Sequence, residues 1–189
     1  MASDVQVVAN WRRSPVRLLM WGVAVFLLAL PAVAMQFTPQ VQWGPLDFAT
    51  MGALLAFACG AVEMGARMSG NRAYRAGVGL AVLTGFLLIW ANLAVGVVGH
   101  DGNPANLMFA GVLAIAVGGA LIARGEAYGM AVAMGAAALA QVGAHVVAYA
   151  GDLGSEEPNT RGLVLFIGLG FAAMWAASAV SFRIAAPAS

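Results

Sequence analysis

The sequence predicts an all-α integral membrane bundle of six transmembrane helices with both termini in the cytoplasm. Three observations carry that expectation. Of 189 residues, 62% are hydrophobic and only 9% are charged, against about 25% charged in an ordinary soluble domain, and the mean hydropathy is +0.87. Six apolar runs approach the roughly 20 residues that cross a bilayer. With six spans, eight of the nine basic residues, all of them Arg, fall on one side of the membrane.

The runs cover 16–36, 48–66, 77–99, 107–123, 127–150 and 162–182. None alternates as a strand does, and in hydrocarbon a single segment satisfies its own backbone only as a helix. The first run follows the cytoplasmic segment 1–15, with Arg12, Arg13 and Arg17 at its head. Arg12-Arg13, the run 18–30 and Ala32-Val33-Ala34 also match a signal peptide with an A-x-A cleavage site. Because apolar character continues to Phe37, the segment is read as a retained span, with Pro31 near its end.

The second run opens after Gly44-Pro45, where Asp47 is placed to cap a helix start. Near its other end, Glu63 and Arg67 stand at i and i+4, the favoured order for a helix ion pair. Arg67, Arg72 and Arg75 bracket the turn to the third run. That run carries Trp90, Asn92, Gly96 and Gly99; in a continuous helix the last three share one face, a seam of small residues with an Asn to bond across helices. His100 and Asp101 close it, and Asn106 opens the fourth run as a second candidate cap.

The fifth run places Gln141, His145 and Tyr149 on one stripe, with Asp152 beyond. Polar groups inside a span face the bundle or a wet cavity, so Gln141 and His145 are expected to turn inward. The segments 47–99 and 106–150 also read as a candidate hairpin repeat, since 47–54 aligns without gaps on 106–113.

The run Trp90-Ala91-Asn92-Leu93-Ala94-Val95-Gly96-Val97-Val98-Gly99, followed by Asn103-Pro104-Ala105-Asn106, resembles a W-x-N-x-A-V-G-x-x-G … N-P-A-N pattern. That pattern belongs to a group of small uncharacterised bacterial multi-pass inner-membrane proteins, and the resemblance extends through 48–63. It implies a bacterial inner-membrane protein and brings no activity with it.

Several chemistries lack their residues. There is no Lys for a Schiff base or a phosphate loop, and the single Cys59 cannot form an intrachain disulfide or a thiolate cluster. No G-x-S-x-G elbow, nucleic-acid patch or metal-ligand spacing such as H-E-x-x-H is present. Positive-inside topology puts Asp47, Asn92, His100, Asp101, Asn106, Gln141 and His145 in the outer half of the membrane; the candidate site takes these except Asp101, with Trp90 of the third run added. The expectation is therefore a non-enzymatic protein without metal or cofactor, in contact with the lipid bilayer. An outward-facing polar pocket built from those residues would take a small ligand, a membrane-protein partner or a second copy. The alternatives are a small-solute or ion transporter or channel component, and a metal or haem protein using His100 and His145.

Overall fold

Six helices account for the six apolar runs in a computed structural model that describes residues 15–153 and 160–187. They are α1 (Pro15–Ala34), α2 (Pro45–Met68), α3 (Arg72–Ala94), α4 (Leu107–Ala123, entered through a 3₁₀ turn at Pro104–Asn106), α5 (Ala127–Ala150) and α6 (Thr160–Ala185). Each, with α4 counted from its entering turn, is long and apolar enough to cross a membrane. The described residues include no strand. The shortest spans have 20 residues, which at 1.5 Å per residue reach about 30 Å, the thickness of a hydrocarbon core.

Local chemistry sets the helix ends. Pro45 begins α2, and Asp47 is not its cap: it lies in the first turn, where its carboxylate accepts from the Gly44 N–H at 2.8 Å. Gly44-Pro45 fixes the start three residues earlier than a capping Asp47 requires. Asn71 caps α3 by accepting from the N–H groups of Ala73 and Tyr74, and Glu126 caps α5 by accepting from Tyr128 and Gly129.

The chain divides into two compact units, Met1–Gly70 and Asn71–Ser189. The boundary falls inside the first half of the candidate repeat. In the first unit α1 packs on α2. Glu63, 7% exposed, receives Arg17 Nε at 2.5 Å and Trp21 Nε1 at 2.8 Å from α1, and Arg67 Nη2 at 3.0 Å from its own helix. The expected Glu63–Arg67 pair is thus one edge of a four-residue network that ties the two helices together.

In the second unit α3 packs on α6, α6 on α5, and α5 on α4. A glycine lies at each of these seams. A Cβ at Gly77 of α3 would stand 2.9 Å from the Phe182 ring of α6, and one at Gly119 of α4 would stand 2.6 Å from the Ala133 methyl of α5. Gly168 of α6 is pressed against the His145 imidazole of α5. Small residues let backbones approach where lipid gives no hydrophobic drive between helices. Ser178 Oγ donates to the Gly77 carbonyl at 2.8 Å and locks the α3–α6 seam. Trp175, Phe109, Phe182 and Leu88 fill the interior. Large apolar side chains such as Leu83, Ile122, Leu139, Phe166 and Ile184 point outward and are exposed.

Candidate functional site

The site begins where α3 ends. The third helix does not run to Gly99: it stops at Ala94, and Gly96 and Gly99 take left-handed backbone with φ of 73° and 69°. A side chain at Gly96 would collide with the His100 carbonyl and come within 2.8 Å of the Asp101 nitrogen. The expected Asn92–Gly96–Gly99 helical face therefore does not exist, because the two glycines form a turn. That turn folds Val97 and Val98 inward, to 4% and 0% exposure.

Their buried N–H groups need acceptors, since an unmet buried donor costs about 1–3 kcal/mol. Asn106 supplies one. Its Oδ1 accepts from Val97 and Val98 at 3.0 and 2.9 Å, and its Nδ2 donates to the His100 carbonyl at 2.8 Å. Asn106 is therefore not a side-chain cap for α4 but a clasp for the preceding loop. Asn103 performs the local capping by accepting from Ala105, and its Nδ2 donates to the Leu153 carbonyl beyond α5. The Gly and Asn positions of the W-x-N … N-P-A-N pattern thus have architectural jobs.

Beside this clasp lies a cleft of about 520 Å³ between α3 and α4. Asn92, Asp101, Asn103 and Asn106 supply its polar lining, and Ile89, Leu93, Leu107, Phe109 and Leu113 supply apolar walls. Asn92 does not bond across helices. Its Nδ2 donates to the Leu88 carbonyl one turn back at 2.7 Å, while its Oδ1 is buried without a partner.

His100 and Trp90 lie elsewhere. The His100 side chain is 67% exposed, and its Nδ1 accepts from the Gly102 N–H at 3.1 Å. Trp90 is partly exposed and stacks on Phe86 with ring centroids 6.3 Å apart. Asp47 belongs to the first unit.

Gln141 and His145 do turn inward, at 0% and 3% exposure. His145 Nδ1 lies 2.9 Å from the Gln141 backbone carbonyl. A carbonyl only accepts, so Nδ1 carries the proton and Nε2 presents a bare lone pair. That Nε2 has no partner, and neither do both polar atoms of the Gln141 amide and the Trp175 indole nitrogen. The His145 ring packs against Gly168 and against Phe109, whose centroid is 5.0 Å away at an interplanar angle of 50°. Phe109 also lines the cleft, so one ring touches both the cleft and the buried imidazole.

Among the described residues, no three His, Cys, Asp or Glu side chains converge as a metal site. The cleft and the buried stripe of α5 present hydrogen-bond donors and acceptors in apolar surroundings. Sequence reasoning missed Phe109, which was one apolar residue among many. It also missed the roles of Arg17 and Trp21, although their i, i+4 spacing on α1 was a usable signal. No family model, no curated protein and no solved structure matches the chain.

Proposed function

We propose that the chain is a multi-pass protein of the bacterial inner membrane, with both termini cytoplasmic, and that it binds a small amphipathic molecule in the α3–α4 cleft from the periplasmic side. The observation that carries this reading is the cleft's lining: asparagines and one carboxylate at the loop, apolar walls along the helices, and a buried, unpartnered Asn92 Oδ1. Its volume falls within the range of about 300–1,000 Å³ typical of small-molecule sites.

Membrane insertion is supported by the outward-facing apolar side chains, which on a soluble monomer would exceed the few hundred Å² usually tolerated as a patch. Orientation is supported within the second unit by Arg72, Arg75, Arg124 and Arg183, which lie at or near helix ends away from the 95–106 loop. Reporter fusions after Arg67 and Arg124 are expected to read cytoplasmic, and a fusion at Asn103 periplasmic. A cytoplasmic reading at Asn103 overturns the orientation.

The binding test is native mass spectrometry of protein purified in mild detergent. Wild-type protein is expected to retain a small-molecule adduct. Ala110→Trp, which adds an indole at an exposed position in the cleft wall, is expected to lose at least about nine-tenths of it, a change of roughly 1.4 kcal/mol. Equal adduct masses in both proteins, or none in either, contradict ligand binding. A protein that co-purifies with wild type and not with Ala110→Trp replaces the ligand by a partner contact. The buried Thr84, Gln141, His145 and Ser178 of the second unit favour transport as the second reading; solute flux into proteoliposomes, lost in a Gln141→Leu variant, would put it first.

A further inference from the structure

We propose that the cleft extends inward, behind Phe109, to a second docking point made by His145 Nε2 and the Gln141 carboxamide, and that the bound molecule carries an uncharged hydroxyl head group. The proposal rests on the cleft reading and names the chemistry of its ligand.

Its first support is unmet hydrogen bonding. Gln141 is 0% exposed, and both its amide oxygen and nitrogen lack partners, as does His145 Nε2 one turn along the same face. Buried polar groups normally find partners, and each group left without one costs about 1–3 kcal/mol. Two such residues in succession on an apolar helix mark a place where polar atoms from outside the chain are accommodated.

The second support is position. Phe109 belongs both to the cleft wall and to the packing of His145, and it sits in the first turn of α4. On this proposal a rotamer change of that one ring is what opens the imidazole to the cleft. The imidazole also packs on Gly168, whose missing side chain leaves the room the ring occupies.

The chemistry of the head group follows from the donor set. His145 Nε2 is an acceptor and asks for a donor; Gln141 Nε2 is a donor and asks for an acceptor. A hydroxyl supplies both from one atom. Among the described residues, the buried polar side chains of the second unit are Thr84, Gln141, His145 and Ser178 with the polar heads of Tyr74 and Trp175, and none is a carboxylate or a guanidinium. An anion would face the Nε2 lone pair without a cation beside it, and a buried cation would lack a carboxylate. Either would keep its desolvation cost uncompensated.

The test uses full-length protein in detergent at neutral pH with three probes of one tail: para-hexylphenol, hexylbenzene and para-hexylbenzoate. Calorimetry gives affinities, and histidine-selective nitrogen NMR reads the ring state. The chain has two histidines, so a His100→Gln variant assigns the signals. The phenol is expected to bind about tenfold tighter than hexylbenzene and tighter than the benzoate. It is expected to move the His145 Nε2 resonance and not those of His100. Gln141→Leu, an apolar replacement of similar volume, is expected to bring phenol and hexylbenzene within about threefold, with hexylbenzene unchanged.

Equal phenol and hexylbenzene affinities, a stationary His145 signal, or tightest binding of the benzoate each overturn the internal site. If the probes bind equally to wild type and Ala110→Trp abolishes that binding, the cleft reading survives and the internal site falls. If none binds to wild type, both fall together.

Discussion

Gly168→Ala is expected to destabilise the second unit by about 1–3 kcal/mol or more, the cost of overpacking a filled interior. The added methyl would overlap the His145 ring and stand 2.7 Å from its Nε2. The ring has little room to retreat. Its Nδ1–H is held by the Gln141 carbonyl at 2.9 Å, and Phe109 packs on it with centroids 5.0 Å apart. Moving the ring also sacrifices a buried hydrogen bond, adding about 1 kcal/mol. The control is Gly170→Ala two residues along, where a Cβ meets nothing within 4 Å; it should be neutral. Thermal unfolding in one detergent reads both variants. His145→Ala/Gly168→Ala should be less destabilised than the sum of its single variants, because the two residues compete for one volume. Strict additivity would mean that the contact is not what makes glycine necessary.

Glu63→Ala is expected to loosen the first unit by about 2–3 kcal/mol. One carboxylate serves Arg17 Nε, Trp21 Nε1 and Arg67 Nη2, and its side chain is 10% exposed. Removing it strands an indole N–H and leaves two guanidinium groups in mutual repulsion. A fully buried pair broken on one side costs about 3–5 kcal/mol. Here the Arg side chains are 36% and 42% exposed, so water recovers part of that. Arg67→Ala removes an exposed i,i+4 partner and should cost only about 0.3–0.5 kcal/mol. Cys59, the single cysteine, lies buried one turn before Glu63 on the same face of α2. Its rate of modification by a thiol reagent should rise at least about tenfold in Glu63→Ala and change little in Arg67→Ala. Unchanged labelling in Glu63→Ala would show that the network does not hold α1 on α2.

Hydropathy alone located all six helices, and two runs, 107–123 and 127–150, end where the helices end. The third run failed at both ends for physical reasons. Its start lies earlier, at Arg72, because the Asn71 side chain caps there. Its stop lies earlier, at Ala94, because Gly96 adopts positive φ, which an apolar window cannot register. The inward turn of Gln141 and His145 was legible, since a polar group on an apolar helix has few other places to go. The partners were not. Asn92 bonded to its own helix, and Asn106 bonded backward to Val97 and Val98. Such choices depend on where a loop folds. Phe109 touches both the cleft and the imidazole only because of where α4 packs, a placement that no periodicity of α4 announces.

An experimental density map of the protein purified with its native lipids, read at the α3–α4 cleft, tests ligand binding most directly. The expected result is elongated density between Ile89, Leu107 and Leu113, with a polar end about 2.7–3.2 Å from Asn92 Oδ1 or reaching past a rotated Phe109 to His145 Nε2. A cleft filled by side chains of another protein or a second copy, or closed by direct packing of α3 on α4, would contradict it.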